Sequence, residues 1–91
     1  MLHIVKHPQQ LALIGRYLQA NDQLLLVESA VYATSEHSPY FAHLPTQQCV
    51  YALKEDLEAR GWINRCAQNI QVVNVDAWVE LSVNHDKSMS W

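Results

Sequence analysis

The chain has 91 residues, of which 49% are hydrophobic and 16% charged, and its formal net charge is -3 at pH 7. This length predicts one domain spanning residues 1–91, because a second hydrophobic core would not fit. A domain of this size buries only about 60 to 65% of its unfolded surface, and few charges remain to solvate the rest. We therefore expect it to be a subunit of a larger assembly.

Charge and hydropathy argue against two kinds of partner. The six Lys and Arg residues are scattered, whereas phosphate binding needs clustered cations, so we expect no direct contact with nucleic acid. The longest aliphatic run, Leu24 to Val27, is far shorter than a membrane span, and the opening MLHIVKHPQQ lacks the apolar core of a signal peptide. A cytoplasmic protein with two free thiols is predicted.

Short apolar runs alternate with helical patterns along the chain. The predicted strands are MLHIV, QLLLVES, CVYAL and IQVVNV, and the unbroken apolar second run indicates a central strand. The first helix is expected within KHPQQLALIGRYLQAND, with Leu11, Ile14 and Leu18 on one face and an end at Asn21 and Asp22. This alternation predicts crossover connections and a parallel sheet.

The later connections are less regular. AVYATSEHSPYFAHL predicts one or two helical turns and a break at Ser38-Pro39, where a second short helix begins. KEDLEARG predicts a helix with an Asp56–Arg60 pair and a stop at Gly61. Asp76 is the predicted cap of a last helix, AWVELSV, and NHDKSMSW reads as a tail.

The resulting fold class is α/β, a small layered fold with a mainly parallel sheet of about four strands and helices on both faces. Two or three full helices are too few to cover such a sheet. Four aromatic residues fall in segments predicted to be loop or tail, and aromatic residues are enriched at interfaces: Tyr40, Phe41, Trp62 and Trp91. We take these four as interface candidates, with local packing under short helices as the alternative.

The turns after the predicted strands carry little recognisable chemistry. They contain no glycine, so we expect no phosphate-cradling loop and no nucleotide or flavin cofactor. Lys6-His7 and Leu53-Lys54 stand where a receiver domain needs acidic residues. Glu55, Asp56 and Glu58 fit the first turn of a helix better than a catalytic or metal site. The five histidines form no ligand pair on one helix face, so no metal site is predicted.

The two cysteines are the candidate nucleophiles or persulfide carriers of the chain. Cys49 opens the third predicted strand, and Cys66 lies in the connection to the fourth. Both positions belong to the amino end of the sheet, whereas ligands of open α/β sheets bind at the carboxyl ends of the strands. We therefore interpret Cys49 and Cys66 as small, semi-buried hydrophobic residues and keep a catalytic role as the alternative.

The whole chain resembles the TusB/DsrH family. The resemblance rests on MLHIV, DQLLLVESAVYA, VYALKEDLEARG, NIQVVNVDAWVEL and the close SVNHDKSMSW. It implies a DsrE-like fold and a place beside two homologous sister chains, TusC-like and TusD-like, in a heterohexamer. The implied role is a non-catalytic subunit that helps to pass persulfide sulfur from a TusA-like to a TusE-like carrier, towards 2-thiouridine formation at the tRNA wobble position.

One departure bears on the branch of this family. DsrH-type members can carry a cysteine near the first helix, but residues 1–48 contain none. This favours the Tus branch and argues against direct sulfur transfer by this chain. The resemblance implies that the active cysteine lies on a sister subunit. The alternatives are a DsrH-like subunit in oxidation of stored sulfur, a sulfurtransferase that uses its own cysteine, and a stand-alone homo-oligomeric binding module.

Overall fold

The computed structural model describes residues 1–91, which form a five-stranded parallel sheet in the order β4-β3-β2-β1-β5. The strands are β1 Leu2–Val5, β2 Gln23–Leu26, β3 Val50–Leu53, β4 Gln71–Val73 and β5 Ser88–Ser90. The α-helices are α1 Leu11–Ile14, α2 Lys54–Ala59 and α3 Val75–Asn84. Short 3-10 helices occupy Pro8–Gln10, Glu28–Thr34, Phe41–His43 and Ile63–Arg65. The α/β class and the central position of β2 are confirmed.

The predicted number of strands was too low. The segment Ser88–Ser90, predicted to be tail, forms β5 and pairs in parallel with β1, with Leu2 opposite Ser88. All three of its residues are exposed. A polar edge strand shows no apolar alternation, so only its partner strand reveals it.

The strand order decides which connections cover which face. From β1 to β4 each strand lies beside its predecessor in the same direction, so right-handed crossovers place the first three connections on one face. The connection from β4 to β5 returns across the whole sheet, which places α3 on the other face. Helices therefore lie on both faces, as predicted, but α3 is the only helix on its side.

The two faces bury cores of unequal size. On the first face thirteen buried residues pack together, among them Leu24 and Leu26 of β2 and Leu57 of α2. On the α3 face the cluster has five buried members: Leu2, Leu25, Val27, Leu53 and Val73. Ala77, Trp78 and Leu81 of α3 pack against it. Alternate residues of β2 point to opposite faces, so the continuous apolar run supplies both cores.

Several element ends differ from the prediction. The first helix ends at Ile14 rather than at Asn21, although Leu11 and Ile14 are buried as expected. The last helix begins at Val75, and its cap is Asn74, whose Oδ1 accepts a hydrogen bond from the Ala77 amide at 2.9 Å. Asp76, the predicted cap, lies inside the first turn. Asn caps helices as well as Asp does, so Asn74 takes the role that the pattern had assigned to Asp76 alone.

Two local predictions agree with the structure. Gly61 follows α2 with φ 62°, the left-handed conformation that favours glycine after a helix. Arg60 and Asp56 approach to 3.7 Å as an i,i+4 pair.

None of the helices combines the length and the apolar character that a membrane crossing requires.

Candidate functional site

The turns at the carboxyl ends of the strands are held together by hydrogen bonds to main-chain carbonyls. The hydroxyl of Ser29 donates to the carbonyl of Lys6 at 2.9 Å, and the Ala30 amide donates to the same carbonyl at 3.2 Å. These bonds join the turn after β2 to the turn after β1. The place where an α/β sheet commonly binds a ligand is here packed against its own backbone.

The acidic side chains of α2 belong to the same network. Asp56 Oδ2 accepts a hydrogen bond from the Glu28 amide at 2.6 Å, and Glu55 Oε2 accepts one from the Val75 amide at 3.3 Å. Glu28 has φ 52°, which is uncommon for a residue with a Cβ, and the bond to Asp56 helps to hold it. These two carboxylates therefore act as acceptors for adjoining turns. No group of three or more His, Cys, Asp or Glu side chains is placed to hold a metal ion.

Cys49 is an exposed free thiol directly before β3. Its carbonyl accepts a hydrogen bond from the Leu24 amide at 3.0 Å, so its backbone is part of the sheet. Burial of the neighbouring Tyr51 raises the pKa of that phenol, and Cys49 contributes to the same shift. The thiol is accessible, but it lies at the amino end of its strand.

Cys66 follows the 3-10 helix Ile63–Arg65 and is partly buried. Burial raises the pKa of its thiol, and a hydrogen bond with Thr34 opposes that shift. The adjoining Ala67 amide donates to the Thr34 carbonyl at 2.8 Å and fixes this stretch against the Glu28–Thr34 helix. A raised pKa reduces the thiolate fraction, so the surroundings make Cys66 a weaker nucleophile than a free cysteine.

Cys66 nonetheless lines a cleft of about 880 Å³. Trp62 stands in its wall, with the Arg65 guanidinium 4.8 Å from the ring centroid and Tyr32 edge-on at 5.1 Å. The Trp62 Nε1 atom is buried without a hydrogen-bond partner. Arg65 forms no salt bridge, so the cleft combines an aromatic wall with a cation that is paired with the Trp62 ring and not with a carboxylate.

The four interface candidates lie on the first face of the sheet. Tyr40, Phe41, Trp62 and Trp91 are each partly buried and pack against the larger core. Tyr40 and Trp62 also line the cleft beside Cys66, which brings two of the four together. Phe41 opens a short helix whose preceding turn is held by Ser38, since Ser38 Oγ accepts from the Tyr40 amide. Their role at an interface stays a prediction.

Trp91 takes part in a buried network that the sequence did not reveal. Its Nε1 donates to Nδ1 of His3 at 3.0 Å, and His3 Nε2 lies 2.9 Å from Asp22 Oδ2. An indole N–H only donates, so Nδ1 of His3 accepts, and the proton sits on Nε2, which donates to Asp22. His3 is 2% exposed and Asp22 7% exposed. The His3–Asp22 hydrogen bond is therefore buried, next to the partly buried ring of Trp91.

Asp22 is the acceptor at the centre of this network. It also accepts from the amino group of Met1 at 3.0 Å and from the Gln19 amide at 3.1 Å. Burial opposes the charged form of Asp22, but the hydrogen bonds from His3, Gln19 and the amino terminus prevail and lower its pKa from 3.8 to about 2. No spacing rule links these residues, because the strands bring them together.

A family model described as "DsrH like protein" matches residues 6–88. The chain belongs to the DsrH family. Within it the chain is 35% identical to "Protein TusB" of Shigella dysenteriae serotype 1, over 100% of both chains. It is 37% identical to "Protein TusB" of Erwinia tasmaniensis, covering 89% of this chain and 86% of that one. The resemblance to the TusB/DsrH family is thus confirmed.

A solved structure supports the fold of this DsrH-family chain. It is similar to the crystal structure of the ychN protein from E. coli, with a TM-score of 0.76 over 99% of this chain and 97% of that one. The two sequences are only 17% identical. This likeness concerns the fold, and the DsrE-like architecture expected from the sequence is confirmed by it.

Proposed function

We propose that this DsrH-family chain is a non-catalytic, cytoplasmic subunit of a TusBCD-like sulfur-relay complex. The complex passes persulfide sulfur towards 2-thiouridine formation at the tRNA wobble position. The observation that carries the proposal is the similarity to TusB proteins over the full length of the chain. The partners are TusC-like and TusD-like chains in a heterohexamer. TusA-like and TusE-like carriers exchange sulfur with that complex, and this chain does not contact the tRNA.

The chemistry of the site supports the non-catalytic role. A persulfide carrier needs an accessible thiolate, which is favoured by a helix amino terminus or a neighbouring cation. Cys66 has a raised pKa because of burial, and Cys49 lies before β3, away from the turns at the carboxyl ends. The acids of α2 hold adjoining turns. The proposal therefore places the sulfur-carrying cysteine on the TusD-like chain.

The test is co-expression with the TusC-like and TusD-like chains of the same organism, followed by size exclusion with light scattering. We expect a mass near twice the sum of the three chains. Phe41→Ala should weaken the assembly by about 2 kcal/mol or more if Phe41 is a central interface residue. If the chain stays a monomer and binds neither sister chain, the proposal is overturned.

A second candidate function rests on the accessible thiol of Cys49 and on the cleft beside Cys66. In that case a thiolate of this chain takes the outer sulfur of a donor persulfide, and the donor leaves as its thiolate. Incubation of the isolated chain with a persulfide donor and mass spectrometry tests it. A gain of about 32 Da that is lost in Cys49→Ser or Cys66→Ser would favour this candidate. The remaining alternative is a DsrH-like subunit of a similar complex that serves the oxidation of stored sulfur.

A further inference from the structure

The outward side of α3 carries an apolar row. Val75, Val79 and Val83 recur every four residues and are 45%, 59% and 79% exposed. On the opposite side of the helix, Ala77, Trp78 and Leu81 pack against the sheet. Side chains four apart lie on one face of a helix, so the three valines form a continuous strip about 12 Å long. We call these three residues the valine row.

A helix that is apolar on both sides is typical of a position between two packed layers. Single exposed hydrophobic residues are common, but aligned ones mark interaction sites. Valine also has a lower helix propensity than alanine or leucine, so three exposed valines do not favour the helix by themselves. The place of α3 in the fold agrees with this reading, since it is the only helix on its face and its outer side has no cover within the chain.

The charges beside the valine row decide what kind of surface fits there. Asp76 and Glu80 lie one position after Val75 and Val79, on the adjoining strip of the helix, and α3 contains no Lys or Arg. Two acids at i,i+4 repel each other and gain from an outside cation. A second copy packed antiparallel on this face would bring four carboxylates to one seam, which disfavours self-association.

We propose that the valine row binds an amphipathic helix of a sister subunit, one whose apolar side chains are flanked by Lys or Arg. Such a helix inserts apolar side chains between the valines and places its cations beside Asp76 and Glu80. This inference rests on the proposed function and names the surface through which the subunit is held. It adds α3 to the aromatic candidates, which lie on the opposite face of the sheet.

The test uses the complex with the TusC-like and TusD-like chains. Val79→Lys and Val83→Lys each replace an exposed apolar side chain by a cation, so the helix can fold while the seam gains a repulsive charge. Leu13→Lys is the matched control, since Leu13 is 40% exposed on α1, on the other face of the sheet. We expect both valine variants to bind at least about tenfold more weakly than the wild type, and the control to bind within about twofold. Far-UV circular dichroism verifies that each variant is folded.

The charge of the partner is tested separately. Glu80→Lys should weaken assembly more than Glu80→Gln, and the difference should shrink as salt is raised. If Glu80→Lys binds as tightly as Glu80→Gln or more tightly, the partner surface is not basic and the proposal is wrong. If the isolated chain forms a dimer that Val79→Lys breaks, the occupant is a second copy and the proposal is wrong.

The outcomes separate this inference from the proposed function. If the wild type assembles and the valine variants assemble equally well, or if Leu13→Lys is as harmful as they are, the surface is wrongly assigned while the relay role stands. If the wild type does not assemble with the sister chains, the proposed function fails and this inference fails with it.

Discussion

The indole Nε1 of Trp91, just after β5, donates a hydrogen bond of 3.0 Å to Nδ1 of His3 in the neighbouring strand β1. The backbone reinforces the contact, because the Trp91 amide donates to the Ile4 carbonyl at 2.8 Å and the Lys6 amide donates to the Trp91 carbonyl at 3.1 Å. Tyr17 adds an aromatic contact, with ring centroids 6.0 Å apart. The chain ends are thus joined through β1 and β5.

The first prediction concerns this hydrogen bond. Trp91→Phe keeps an aromatic ring but leaves Nδ1 of the buried His3 without a donor, which should lower the free energy of unfolding by about 1 to 3 kcal/mol. Trp78→Phe is the control, since it removes the same ring atoms from a Trp that packs on the other face of the sheet. Urea denaturation measures both. Equal losses would mean that the lost ring volume, rather than the hydrogen bond, sets the effect.

The second prediction is a pH dependence centred on Asp22. The pKa of Asp22 is about 2 in the folded chain against its ordinary value of 3.8, so between these two pH values the unfolded chain binds more protons than the folded one. The stability from Asp22 is therefore fully present above pH 3.8 and is lost as the pH falls through about 2. Asp22→Asn should be less stable than the wild type by about 2 kcal/mol at pH 7, and the gap should narrow towards pH 2. A gap that stays constant down to pH 2 would contradict the assignment.

The third prediction compares Asn74, the observed cap of α3, with Asp76, the cap predicted from the sequence. Asn74→Ala removes the acceptor of the Ala77 amide and should cost about 1 kcal/mol. Asp76→Ala removes only a first-turn charge near the helix dipole, for which about 0.3 to 1 kcal/mol is expected at low salt, and less as salt rises. Thermal unfolding of both variants at two salt concentrations ranks them. A larger loss for Asp76→Ala would return the cap to the residue that the sequence favoured.

The fourth prediction compares the thiols. Cys49 is exposed, whereas Cys66 is partly buried and burial raises its pKa, so iodoacetamide should alkylate Cys49 faster by about tenfold at pH 7 to 8. The Cys66 rate should keep rising towards more alkaline pH. Peptide mass spectrometry follows both sites, with Cys49→Ser isolating the slower one. Faster labelling of Cys66 would show an activated thiol and strengthen the sulfurtransferase alternative.

Local patterns sufficed for much of the fold. The apolar run Leu24–Val27 predicted a central strand, because a strand covered on both sides is apolar throughout. The helix stop at Gly61 and the Asp56–Arg60 ion pair follow from rules that act within one helical turn. β5 could not be found in this way, since Ser88 and Ser90 are polar and exposed, and the strand exists through pairing with β1.

The same limit applies to the candidate site. The two cysteines and four aromatic residues could be selected by type and by segment, but their surroundings could not. Asp22 read as a helix end, and its acceptor role depends on His3 and Met1, which only the parallel pairing of β1 with β2 brings beside it. Val79 and Val83 stand four residues apart within AWVELSV and Val75 lies just before it, but which side of that helix meets the sheet depends on where the chain crosses.

The return of the chain from β4 to β5 also bears on how the molecule folds. The bond between Trp91 and His3 joins residues 88 apart in sequence, and closing so long a loop carries a large entropy cost before any contact repays it. The β1–β2 and β2–β3 pairings close shorter loops, so we expect β5 to dock after the first four strands have formed. During folding the outer edge of β1 would then stay unpaired, with its backbone hydrogen-bonding groups open to other strands, until Ser88–Ser90 pairs with it.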